Sequence, residues 1–263
     1  MTDHEPGIES RHPGGPGFLA GPTAAERARH DELRANLTAV EQRVAAACAA
    51  AGRARDEVTL VVVTKTYPAS DTELLASLGV TDVAENRDQD AAPKAAECSG
   101  LNLTWHFVGQ LQTNKVRSVL RYADRVHSVD RLRLIEALSE GVLKSERPEL
   151  GCLIQVALEG DSAPARGGAS PADVPALADA LAAAPGLRFD GLMAVAPLIG
   201  PYAGDPRRAF DRLMEIASRV REAHPAATMV SAGMSGDLEE AIAAGATHVR
   251  VGTAVLGARP PLG

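Results

Sequence analysis

Lys65 stands at the end of Leu60-Val61-Val62-Val63-Thr64, an apolar, β-branched run too short for a helix and closed off by Tyr67-Pro68. A run of this kind predicts a strand buried on both faces of a parallel sheet. An ammonium at such a strand end is partly desolvated, which lowers its pKa and frees amine to attack a carbonyl. The plain alternative is a lysine that snorkels out of the strand end. A second stretch with chemistry in it is Ser231–Gly257. Gly233-Met234-Ser235-Gly236-Asp237 reads as a flexible turn before a helix, whose backbone N–H groups and Ser235 hydroxyl can converge on an anion. Ser235 or Asp237 as a simple N-cap needs no ligand. Farther on, alternation along Arg250-Val251-Gly252-Thr253 puts Arg250 and Gly252 on one face.

An amine and a phosphate cradle together suit a phosphorylated aldehyde or ketone, anchored by its phosphate and held by the lysine as a Schiff base. Arg250, one residue pair below the cradle, is placed to donate to a ring nitrogen. A permanent cation there opposes protonation of a pyridine nitrogen. The other polar candidates have two readings each. His106, between Trp105 and Phe107, is either a base or a hydrogen-bonded barrel residue. Lys115 and Arg117 attract an anion or form a solvated helix face, Asp130 reads as an N-cap, and Tyr67 either reaches a ring or packs in a turn. Cys48, Cys98 and Cys152 have no paired metal-type spacing, so no metal site and no disulfide is expected.

The elements that must position these residues alternate strictly. The sequence predicts strands ending at Lys65 and at 82–86, 103–109, 125–129, 151–158, 187–196, 228–232 and 248–253. Each except the last is followed by a helical segment, and one further helix lies in front over 24–51. Thr23 is placed to cap that first helix and Gly52 to end it, while Ser70-Asp71-Thr72-Glu73 has the pattern of a capping box. Eight short apolar strands alternating with helices in about 200 residues imply a single closed (β/α)8 barrel, with an open doubly wound sheet as the alternative. A barrel places Lys65, Asn86, Gly109, Val129, Ala157, Ala196, Ser231 and Arg250 around one mouth, and the loops after strands seven and eight are where barrels commonly hold phosphate.

Size and composition narrow the function. A chain of 263 residues, 45% hydrophobic and 23% charged, is ordinary globular material. No long uncharged apolar run suggests a membrane span. A net charge of −7 without a basic, aromatic-laced cluster speaks against nucleic acid as a partner. The Pro- and Gly-rich residues 1–23 read as a disordered extension, 24–257 as the barrel and 258–263 as a tail, which leaves no stretch for a second folded domain.

Several motifs resemble those of the pyridoxal phosphate homeostasis proteins, small relatives of bacterial alanine racemase: VTKTYP (63–68), AENRDQD (84–90), WHFVGQLQTNK (105–115), SVD (128–130), GLMAVAP (191–197) and GMSGDLEEAIAAGATHVRVGTAVLG (233–257). The resemblance implies an alanine racemase N-terminal-type barrel that binds pyridoxal 5′-phosphate as an internal aldimine of Lys65. It further implies Ser235, Gly236, Gly252 and Thr253 on the phosphate, Arg250 facing the pyridine nitrogen, and Asn86 and Met234 lining the ring site. The family's role would be to hold and deliver the cofactor in the cytoplasm, as a monomer in transient contact with apo enzymes, with little or no catalysis. Amino-acid racemisation is the alternative. Two departures from the family pattern are Ala84 before Glu85-Asn86-Arg87 and the loop 159–168, which lacks a lysine.

Overall fold

A computed structural model of the chain describes residues 23–159 and 167–257. The expected extension lies outside the described residues except for Thr23, as do the tail 258–263 and most of the loop after the fifth strand. Eight parallel strands close into one barrel in sequence order. They are β1 (Thr59–Val63), β2 (Asp82–Glu85), β3 (Thr104–Phe107), β4 (Arg125–Val129), β5 (Leu150–Gln155), β6 (Leu187–Met193), β7 (Met229–Ser231) and β8 (His248–Val251). The open doubly wound sheet is thereby excluded, because β1 pairs with both β2 and β8.

The helices follow as expected: α1 (Ala24–Ala50), α2 (Ala69–Ser77), α3 (Asp88–Glu97), α4 (Val116–Val119), α5 (Leu132–Ser145), α6 (Val174–Ala183), α7 (Pro206–Ala223) and α8 (Leu238–Ala244). The last strand is also followed by a helix, the single turn α9 (Thr253–Leu256). Outward strand residues such as Phe107, Cys152 and Ile154 pack with inward helix residues such as Leu134, Leu138, Leu181 and Phe210 to make the main core, and Val83 packs in a smaller cluster with Ala69, Ala95, Cys98 and Trp105. Cys152 thus faces the helix layer.

α1 begins at a reciprocal capping box: the Glu26 N–H donates to Thr23 Oγ1 at 3.2 Å, and the Thr23 N–H to Glu26 Oε2 at 2.6 Å. Its buried seam of Leu33, Val40, Val44 and Cys48 lies against Val249, Val251, Val255 and Leu256. Arg29 fastens it to α2 by a bidentate pair with Asp71 at 3.1 and 2.7 Å. The expected capping box at Ser70–Glu73 does not form, because the helix starts earlier and Ser70 lies inside it. Asp71 is turned to Arg29, Pro68 occupies the N-cap position, and the helix starts at Ala69.

Candidate functional site

At the end of β1 the ladder continues for one residue, with the Thr64 N–H donating to Ala84 O at 3.0 Å. The chain then turns sharply: Thr66 has φ +73°, and the Tyr67 N–H returns to Thr64 O at 3.1 Å. A non-glycine residue in the left-handed region is costly and persists only where its surroundings over-determine it. Here they do. Lys94 on α3 donates to Thr64 O at 2.7 Å and forms an ion pair with Glu85, while Thr64 Oγ1 donates to the same Glu85 oxygen at 2.8 Å. Glu85 is fully buried and Lys94 nearly so. Tyr67 is buried, its hydroxyl donating to Gly257 O at 2.8 Å with the Arg29 guanidinium over its ring, so its role here is packing.

Lys65, half-buried at the tip of this turn, lines an open groove of about 700 Å³ together with Tyr67, Asn86, Arg87 and Lys94. The end of β2 is fixed as tightly. A Cβ on Gly109, just past β3, would lie 2.0 Å from Asn86 O, so only glycine lets the two strand ends approach.

Across the β1–β8 seam, Val62 pairs with Val251, and the position of a Gly252 Cβ would fall 3.2 Å from Val63 O. Gly252 therefore sits against the residue two before Lys65. The loop after β7 opens with Gly233 at φ +87°, where a Cβ would meet Ala241 Cβ at 2.6 Å. The Met234 N–H donates to Asp237 Oδ1 at 2.6 Å, leaving Met234 exposed; Asp237, rather than Ser235, is the N-cap of α8. Among the described residues no acceptor meets the N–H of Ser235, Gly236, Gly252 or Thr253, and a Cβ on Gly236 would meet nothing within 4 Å. These two loops thus present bare donors, with open space around Gly236, an arrangement that suits an anion. Arg43 of α1 steadies the first loop by donating to Ser235 O at 3.1 Å while pairing with Glu239.

Below the mouth the barrel interior is polar. Arg250, 4% exposed, donates to Ser231 Oγ at 2.6 Å and to Ala194 O at 3.0 Å. Ser231 Oγ lies 3.0 Å from His127 Nδ1; His127 Nε2 lies 2.8 Å from His106 Nδ1; His106 Nε2 lies 2.9 Å from Asp82 Oδ1. Burial lowers the Arg250 pKa to about 10, against the pull of Asp237. Burial also holds His127 well below the ordinary histidine value and His106 below it, the latter despite Asp82. For Asp82 the bonds from His106 and Thr81 outweigh burial and keep its pKa low.

Of the two readings of His106, the structure selects the hydrogen-bonded barrel residue. Two expectations need correction. Ser231 and Arg250 are buried inside the barrel rather than on its rim. Asp130 does not cap α5, whose N-cap is Arg131; it pairs with Arg131 and accepts from the Gly168 N–H at 3.4 Å. Glu85, Lys94, Asp82 and His127 are not singled out by the sequence. Their signal is a short strand with a carboxylate at each end, Asp82 and Glu85, and a histidine on each of β3 and β4. Among the described residues no cluster suited to a metal ion occurs, and no helix is long and apolar enough to cross a membrane.

A model of the family described as "Alanine racemase, N-terminal domain" matches residues 31–260. The pyridoxal phosphate homeostasis protein of Mycobacterium tuberculosis is 40% identical over 261 residues, covering 92% of this chain and 98% of that one. Among solved structures, PipY of Synechococcus elongatus with PLP bound superposes with a TM-score of 0.74 at 32% identity, covering 86% of this chain and 100% of that one. Alanine racemase of Corynebacterium glutamicum, at 14% identity and TM-score 0.64, covers 89% of this chain but 62% of its own and shares the fold.

Proposed function

Since the chain belongs to the pyridoxal phosphate homeostasis protein family, we propose that it holds and hands over pyridoxal 5′-phosphate, with Lys65 as the point of covalent attachment. When bound, that cofactor supplies an aldehyde to a nearby amine and a phosphate to nearby donors. The observation that supports the reading is that the turn just past β1, which carries Lys65, adjoins Gly252 across the β1–β8 seam, with the loop after β7 next to it and bare N–H groups in both loops.

In this reading the bare N–H groups of Ser235, Gly236, Gly252 and Thr253 grip the phosphate, and the openness around Gly236 leaves room for it. Asn86 and Met234 flank the ring. Arg250 presents a guanidinium, a donor with no acceptor capacity, so a ring nitrogen opposite it remains unprotonated. That condition weakens the electron withdrawal on which most chemistry of this cofactor depends, and it suits storage better than turnover. The chain is taken to act in the cytoplasm, with its three buried cysteines free, as a monomer in transient contact with apo enzymes. The racemase alternative rests on fold alone.

The test is retention. Wild type and Lys65→Ala are loaded with pyridoxal phosphate and desalted, and bound cofactor is measured by absorption. Wild type is expected to keep close to one equivalent and the variant a small fraction of it. Equal retention overturns the assignment.

A further inference from the structure

The interior chain from Asp82 to Arg250 has a direction. Asp82, a carboxylate, only accepts, so His106 Nε2 carries the proton of that bond. In a neutral imidazole the other nitrogen is then an acceptor. His106 Nδ1 must accordingly receive its bond from His127 Nε2–H, which makes His127 Nδ1 an acceptor as well. The Ser231 hydroxyl supplies that bond with its single proton, and its oxygen accepts from Arg250, which only donates. At the other end Arg250 occupies one lone pair of the Ser231 oxygen, which leaves the Ser231 proton free for His127 Nδ1. The reverse order requires a charged His106 and leaves the Ser231 proton without an acceptor, and burial together with the facing cations Arg125 and Arg250 disfavours that charge.

We propose that Ser231, His127, His106 and Asp82 are positioning residues for Arg250, forming a one-way hydrogen-bond chain, Arg250 to Ser231 to His127 to His106 to Asp82, that sets the guanidinium plane beneath the mouth. Every member uses both of its hydrogen-bonding sides, and a chain with a cation at one end and an anion at the other is polarised along its whole length. The histidines are therefore struts with fixed tautomers rather than acids or bases. Two donated bonds, to Ser231 Oγ and to Ala194 O, orient the guanidinium from below. The consequence for a bound ring rests on the function proposed above, whereas the order of the chain does not.

The experiment has two arms. Nitrogen-15 spectra of the full-length, histidine-labelled protein without cofactor report the tautomer of each imidazole. His106 and His127 are both expected as neutral Nε2–H forms between about pH 6 and pH 8. A proton on His127 Nδ1, or a charged His106, overturns the proposal, and this arm needs no variant. In the second arm Ser231→Ala, which removes the arginine's hydroxyl partner, is expected to weaken pyridoxal phosphate binding about tenfold and to shift the absorption maximum of the bound cofactor. Ser231→Thr, which keeps the hydroxyl, restores both. An Ala variant with unchanged absorption and affinity also overturns the proposal. Failure of wild type to bind the cofactor at all refutes the function instead, and the imidazole spectra then decide the chain order alone.

Discussion

Lys94 donates to the carbonyl oxygen of Thr64 at 2.7 Å, bracing from the helix layer the peptide group that leads into Lys65. The strand end that carries the lysine is held by a charge buried behind it. Because Glu85 is fully buried, its ion pair with Lys94 is costly to break from one side.

Lys94→Met is therefore expected to destabilise the fold by about 3–5 kcal/mol, since it strands a buried carboxylate. Urea unfolding checks this. Adding Glu85→Gln to Lys94→Met is expected to recover most of the loss, because the uncompensated charge disappears. A double variant no more stable than the single one contradicts the pair as described.

Gly109→Ala places a Cβ 2.0 Å from Asn86 O, a clash with backbone that no rotamer relieves. A loss of about 1–3 kcal/mol is expected from such overpacking, together with weaker cofactor uptake, as the ends of β2 and β3 are forced apart. Thermal unfolding and cofactor titration of one preparation read both effects.

Acid should destabilise the fold through its interior histidines. Burial lowers His248 to about 4, with His106 and Arg125 adding to the effect, and it lowers His106 and His127 as well. With folded values below the ordinary 6.5, the unfolded chain binds more protons as pH falls. Stability is thus full above about pH 7 and declines from there to about pH 4, each tenfold difference in proton affinity between the folded and unfolded chain amounting to about 1.4 kcal/mol. Urea midpoints at pH 7.5 and pH 5 measure the slope, and His248→Gln is expected to make it shallower.

The barrel was legible because both of its ingredients are local: β-branched runs for strands, and Thr23 or Gly52 as helix punctuation. Lys65 and the two glycine loops do follow strand ends, as their sequence context predicts, whereas Arg250 lies within β8 and inside the barrel. The supports were not legible. Glu85 meets Lys94 only once α3 packs back on β2, and Asp82 meets His106 and then His127 only once β2, β3 and β4 are in register. Ser231 likewise finds its partners, His127 and Arg250, on other strands. The capping box was misplaced for a local reason: Pro68 takes the N-cap position and the helix already runs from Ala69.

The central claim is that one amine, on Lys65, holds the cofactor. Borohydride reduction of the protein loaded with pyridoxal phosphate, followed by proteolysis and mass spectrometry, locates the fixed adduct by residue. The expected result is a single modified peptide containing Lys65, with no such peptide from Lys65→Ala. An adduct spread over surface lysines, or concentrated on Lys94 or Lys115 with Lys65 intact, contradicts the account.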